Sequence, residues 1–167
     1  MKLIKVLILI IALSGCNVPK EETPFESVDY SFFAGYLNSI KIYGSGQALI
    51  SFNLHQWNEF YSLTLDKANL DSISNMVRVL SKIKIDSIYS ETICDHCASF
   101  GLIIKSKEYT LSTSYNGEFH EKELNSLFRL THYLDNLIDK VTKTADSIFV
   151  FESKSRLILP PPPPALP

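Results

Sequence analysis

Apolar and polar residues alternate through "NSIKIYGSGQALISFN", residues 38–53, on either side of a glycine-rich break. Ile40 and Ile42 share one face of the first run, and Ala48, Ile50 and Phe52 share one face of the second. A two-residue period around Gly44-Ser45-Gly46, where glycine supplies positive φ, predicts a β-hairpin. "WNEFYSLTL" follows with Tyr61, Leu63 and Leu65 on one side and reads as a third strand. The period then changes. Leu70, Ile73, Val77, Leu80 and Ile83 recur at helical spacing with Met76 beside them, and Asp66 or Asn69 is available as the cap.

The alternation returns in "SFGLIIKS" and "KEYTLSTSY", with Leu102 and Ile104 facing Tyr109, Leu111 and Thr113, and Asn116-Gly117 closing the unit. From about Glu121 a second helix is expected, with Leu124, Leu127, Phe128, Leu134, Ile138 and Val141 in one stripe. Its acids fall in the first turn and Lys140 and Lys143 near its end, which complements the helix dipole. Ser147 to Phe151 is a candidate last strand. Runs of strands separated by single helices predict an α+β fold. The expected architecture is an antiparallel sheet of two hairpins plus an extra strand, with both helices on one face.

The beginning of the chain follows a different logic. "MKLIKVLILIIALSGCN" has Lys2 and Lys5, then an unbroken apolar run from Val6 to Leu13. That run is shorter than the ~20 apolar residues needed to span a bilayer. A charged start, a short apolar stretch and small residues describe a secretory signal peptide. Leu13-Ser14-Gly15-Cys16 resembles the lipobox of bacterial lipoproteins. The resemblance implies cleavage before Cys16, diacylglycerol on its thiol and acylation of the new amino terminus. Several acyl chains suffice for stable anchoring, each buried methylene contributing ~0.8 kcal/mol.

The expected organisation is therefore a signal peptide over 1–15, a lipidated tether over 16–29, an α+β domain over 30–151 and a proline-rich tail over 152–167. The tether is polar, with Pro19 and Pro24 and little to bury. Its Lys20-Glu21-Glu22 is similar to the lysine-then-acids signal that sends some Bacteroidetes lipoproteins to the outer face. No aspartate follows Cys16, unlike the inner-membrane retention pattern of enterobacterial lipoproteins. The expected address is the bacterial cell envelope, lipid-anchored in the outer membrane, on its periplasmic or surface face.

Charge narrows the partners. The whole chain carries a formal −2, and residues 1–15 hold two lysines and no acid, so the processed chain carries −4. That balance provides no basic footprint for nucleic acid and no attraction to anionic lipid. The expected partners are the bilayer, through acylated Cys16, and an envelope protein or glycan.

A second resemblance is carried by "NSIKIYGSGQALISF", "KIKIDSI", and "SKEYTLSTSYNG" followed by "LNSLFRLTHYLDNLID". Together these are similar to a family of small uncharacterised envelope proteins frequent in Bacteroidetes, over roughly residues 30 to 140. The family's cysteine- and proline-containing stretch before the first strand is replaced here by "FFAGYLNSI", without cysteine. The resemblance bears on fold and compartment.

The chemistry-bearing candidates are few. With Cys16 acylated, Cys94 and Cys97 of "TICDHCASF" remain as a pair in an oxidising compartment. A local disulfide or idle dithiol is one reading. A redox pair is another, since Cys-Asp-His-Cys looks like the Cys-x-x-Cys of thioredoxin-fold enzymes. That chemistry requires a helix amino terminus to lower the first thiol's pKa, and the β-rich "ASFGLIIKSKEYT" stands there instead. A metal site is the third, with Cys94, His96 and Cys97 as three ligands and His55, His120 or His132 as a distant fourth.

His120-Glu121-Lys122-Glu123-Leu124 starts like a zinc-protease motif and fails where the second histidine is required. His132 flanks the second helix's stripe as a partly buried structural histidine, and His55 and Trp57 border a strand as core residues or an aromatic binding patch. No phosphate-binding loop, serine elbow or spaced carboxylate pair is present, and no cofactor is implied. Pro160 to Pro164 form an extended polyproline end, either a stiff tail or a segment for an aromatic groove, with Leu157-Ile158-Leu159 available to dock. The sequence thus predicts an envelope lipoprotein with a non-catalytic binding or structural domain. The alternative is a thiol-dependent redox or metal-handling protein using Cys94, His96 and Cys97.

Overall fold

Seven strands form one sheet in the order β4-β3-β2-β1-β6-β7-β5. The computed structural model describes residues 22–54, 57–90, 98–117, 124–138 and 151–157. The strands are β1 (Ser27–Phe33), β2 (Leu37–Tyr43), β3 (Gln47–Leu54), β4 (Trp57–Thr64), β5 (Ile88–Ser90), β6 (Ser99–Lys105) and β7 (Thr110–Asn116). Helix α1 (Lys67–Leu80) lies between β4 and β5, helix α2 (Asn125–Ile138) comes after β7, and a 3-10 turn covers Glu152–Arg156.

The two hairpins expected from the pattern are present as β2–β3 and β6–β7, and β4 is the extra strand. Gly46 takes φ +91° in the first turn, with its N–H donated to Tyr43 O at 2.8 Å. The sheet departs from the expected one in two ways. It is mixed, because β5 pairs in parallel with β7. It also contains β1, which joins the hairpins by pairing antiparallel with both β2 and β6. Helix α1 carries the chain from the β4 edge to the opposite edge, and the three residues of β5 are too few to show an alternating pattern.

One face of the sheet carries the core. Register places Val28, Tyr30 and Phe32 of β1 in line with Ile42, Ile40 and Asn38 of β2 and with Ile104, Leu102 and Phe100 of β6. All of these but Asn38 pack with Ile73, Val77 and Leu80 of α1 and with Leu127, Leu130, Leu134 and Ile138 of α2. Both helices therefore cover the same face, as the two amphipathic stripes require. They run antiparallel: Tyr133 near the end of α2 donates to Asn69 Oδ1 at the start of α1, at 2.6 Å. Phe100, Tyr115 and Phe128 knit the second hairpin to α2, with ring centroids 5.3 to 6.3 Å apart.

Asp66 caps α1 as expected, its Oδ1 accepting from the Asn69 N–H at 2.8 Å. The helix ends at Leu80, so Ile83 lies beyond it and is exposed. No acid stands in the first turn of α2; Glu121 and Glu123, like Lys140, Val141 and Lys143, lie outside the described residues. His132, expected to be partly buried, is exposed, because Thr131 takes the buried flank of the stripe. Residues 147–150 of the candidate last strand also lie outside the described residues, while Phe151 is buried.

The sheet extends into the segment expected to be tether, since β1 starts at Ser27 and Phe25 is already in the core. The start of the proline-rich tail is likewise packed. Its 3-10 turn lies on the face opposite the helices, against β1 and β6, with Ser153 fully buried.

Candidate functional site

The face opposite the helices carries polar groups that are nonetheless buried. Register aligns Ser51, Ser39, Ser31, Gly101 and Ser114 across five strands, and the four serines are nearly or fully buried. Gly101 is required by contact: a Cβ there would lie 2.9 Å from Arg156 Cβ and closer still to the Ser153 carbonyl oxygen. The 3-10 turn therefore rests directly on β6 at this point.

Asp29, on the same face and 2% exposed, organises this contact. Its Oδ2 accepts from the backbone N–H of Glu152 at 2.8 Å, and its Oδ1 accepts from the Ser153 hydroxyl. A carboxylate at the start of a helical turn satisfies otherwise unpaired N–H groups and complements the local dipole. Ser31 Oγ lies 2.6 Å from Ser153 Oγ and 2.7 Å from Ser39 Oγ. Lys41, the cross-strand partner of Asp29, places Nζ 3.5 Å from both Asp29 Oδ2 and Glu152 Oε1. Lys105 holds both Glu152 oxygens at 2.8 and 2.6 Å. That hydrogen bond lowers the Glu152 pKa and raises that of Lys105.

On the core face, burial raises the Tyr30 pKa well above its ordinary value, with the Asp135 carboxylate as the next cause. Its hydroxyl donates to Asp135 Oδ2 at 3.1 Å. These carboxylates and hydroxyls are engaged in holding elements together. The arrangement is that of a docking contact for the 3-10 turn.

Two clefts open where the chain enters the domain. One, of about 530 Å³, is lined by Thr23, Phe25, Gly44, Ser81, Lys107 and Tyr109, among others. The second, of about 470 Å³, lies along α1 at Lys67, Leu70, Asp71, Ser74, Asn75 and Arg78. Glu22 and Thr23 line both and form the wall between them. This N-terminal strap is held at several points. Lys107 Nζ donates to Glu22 Oε2 at 2.8 Å, lowering the Glu22 pKa. Thr23 Oγ1 donates to Phe25 O at 3.0 Å, with Gly44 O at 3.3 Å. Glu26 N–H donates to Lys105 O at 2.7 Å and its carbonyl accepts from Gly44 N–H at 2.9 Å. A Cβ on Gly44 would meet Phe25 O at 2.6 Å, so glycine is what lets the strap lie on the turn.

The residues singled out from the sequence fall elsewhere. Cys16, His55, Cys94, His96, Cys97 and His120 lie outside the described residues, as does the side chain of Trp57. The ends of the Cys94–Cys97 segment are placed: Ser90 of β5 and Ser99 of β6 both pair with Asn116 of β7. The segment thus leaves and rejoins the sheet on either side of one residue. Only Ala98 separates Cys97 from the first residue of β6. Among the described residues no three His, Cys, Asp or Glu groups converge to hold a metal, and no helix is long and apolar enough to cross a membrane.

Sequence reasoning missed the Asp29 contact and the strap, both made between residues far apart in the chain. The only local trace is "SVDYSFF" itself, whose Val28, Tyr30 and Phe32 alternate. No protein-family model matches the chain, and no curated protein matches it.

Proposed function

We propose that the chain is a bacterial envelope lipoprotein, acylated at Cys16 and held in the outer membrane. Its α+β domain then serves as a non-catalytic binding or structural module. The observation that carries this reading is the order Lys2, Lys5, the apolar run Val6 to Leu13, and Leu13-Ser14-Gly15-Cys16. In the described domain the buried Asp29 and the hydroxyls of Ser31 and Ser153 bond to one another and hold the 3-10 turn, a structural use of these groups. The clefts beside the strap and an envelope protein or glycan as partner belong to the same reading.

Detergent phase partitioning of the full-length protein expressed in a bacterial host tests it. The wild type enters the detergent phase, with an intact mass that includes the diacylglycerol. Cys16→Ala leaves the detergent phase and loses the added mass. A Cys16→Ala protein that partitions like the wild type would overturn lipid anchoring.

A further inference from the structure

If Cys16 is the lipid anchor, the described strap also determines which end of the domain meets the bilayer. The strand ends at Ser27, Tyr43, Gln47, Thr64, Lys105 and Thr110 lie at one pole, and those at Phe33, Leu37, Ser99 and Asn116 lie at the other. The strap enters at the first pole. Its hydrogen bonds reach both turns there, the β2–β3 turn through Gly44 and the β6–β7 turn through Lys105 and Lys107.

β1, into which the strap runs, is the middle strand of the sheet. The strap thus starts from the centre of that pole and reaches Glu22 beside Lys107 and the α1 cleft, still at the same pole. Helix α1 spans the same end: Leu70 approaches Gly46, while Ser81 lines the cleft with Ser106 and Tyr109.

Cys16 and Glu22 are six positions apart. Whatever path they take, those six residues reach no further than about 20 Å. The far strand ends lie roughly 25 Å beyond, since strands of seven or eight residues rise ~3.3 Å per residue. Bringing the far pole to the lipid would require the tether to wrap around the near one.

We infer that the pole built from the strap, the Tyr43–Gln47 turn and the Lys105–Thr110 turn is the membrane-facing surface of the domain. The opposite pole, with Ala34, Gly35 and the exposed Tyr36, faces away from the bilayer. The partner of the near pole is a lipid surface of zwitterionic headgroups, without net charge. The pole carries charges of both signs, two of each already paired: Lys107 with Glu22 at 2.8 Å and Lys67 with Asp71 at 2.6 Å, with Glu26, Glu108 and Arg78 lining the same clefts. The anchor's short length sets the orientation, and anionic lipid is not needed for it.

The test uses the acylated full-length protein in phosphatidylcholine vesicles that carry an acceptor dye on the headgroup. A fluorescent amino acid is encoded at Ser45 in one variant and at Tyr36 in the other; both positions are exposed, and circular dichroism verifies the fold. Flotation with the vesicles is scored first. The expected result is energy transfer severalfold stronger from position 45 than from 36, unchanged when phosphatidylglycerol is added. A flexible insertion of about ten residues after Asn17 reduces the difference. Equal transfer from both positions, or stronger transfer from 36, in vesicle-bound protein would overturn the orientation alone. Failure to float would overturn lipid anchoring and the orientation with it.

Discussion

Asp29 Oδ2 accepts the backbone N–H of Glu152 at 2.8 Å, joining the first strand of the sheet to the end of the described chain. The central strand therefore has two different buried faces. Val28, Tyr30 and Phe32 face the helices, while Asp29 and Ser31 face the 3-10 turn. Burying a carboxylate is tolerated because its oxygens have hydrogen-bond donors and Lys41 stands beside it.

Replacing Asp29 with alanine leaves the Glu152 N–H without its acceptor and takes from the Ser153 hydroxyl its carboxylate partner, with only Ser31 Oγ remaining. Each such loss costs about 1–3 kcal/mol. Asp29→Ala is expected to destabilise the domain by about 3 kcal/mol. Asp29→Asn, which keeps one acceptor oxygen, is expected to cost roughly half as much. Urea denaturation reads this as a lower midpoint at an unchanged slope. A midpoint within error of the wild type would mean that Asp29 does not hold the turn.

Gly101→Ala tests the same contact from the other side. The added methyl would push against the Ser153 carbonyl and Arg156 Cβ, so the turn must lift away from β6. Overpacking of this kind costs about 1–3 kcal/mol. Hydrogen exchange localises the effect. The amides of Glu152 and Leu157 should exchange faster, while those of Ile103 and Ile104 in β6 stay protected. Uniform acceleration through β6 would show that the sheet, not the turn, had yielded.

The sequence is most legible where structure is local. The β2–β3 and β6–β7 hairpins, β4, and α1 with its Asp66 cap follow from periodicity and neighbouring turn or cap residues. β1 is hidden because Asp29, Ser27 and Ser31 give it the polarity of a tether. The burial of Asp29 and Ser31 depends on a turn more than 120 positions away. β5 is hidden because three residues carry no period and their partner is reached only through the α1 crossover. At the candidate site, the Glu22–Lys107 pair is invisible locally for the same reason as the Asp29 contact, joining residues 85 positions apart. His132 stands one position off the buried side of its helix, where Thr131 is the buried neighbour.

The Glu152–Lys105 pair makes docking of the 3-10 turn sensitive to acid. The Lys105 hydrogen bond lowers the Glu152 pKa below its ordinary 4.5 in the folded protein. Its stabilisation is therefore complete above about pH 4.5 and is lost as pH falls through the lowered folded value. Lys105 is shifted the opposite way, so its share is complete below its ordinary 10.5 and is lost as pH rises through the raised value. Both groups are partly exposed, so the effect is small and salt-screened. Glu152→Gln should flatten the acid limb of the stability–pH curve at low salt. An identical acid limb in wild type and variant would assign that limb to other carboxylates.

The Cys94–Cys97 pair separates the binding-module reading from its thiol-based rival. A helix amino terminus lowers a thiol's pKa by its partial positive charge, and the element next after Cys97 is the strand β6. On the module reading the pair is a structural disulfide across a loop of about four residues, for which loop-closure entropy gives ~2 kcal/mol. Cys94→Ser with Cys97→Ser should lower stability by about that amount and leave lipid anchoring and fold intact. A redox titration should place the potential below about −300 mV, the range of structural disulfides. A potential near −120 mV, about that of a strong dithiol oxidase, would make these cysteines a working pair. Zinc bound stoichiometrically in native mass spectra and lost on the double substitution would instead make them metal ligands. Either outcome would move the functional centre of the molecule from its clefts to the segment that bridges β5 and β6.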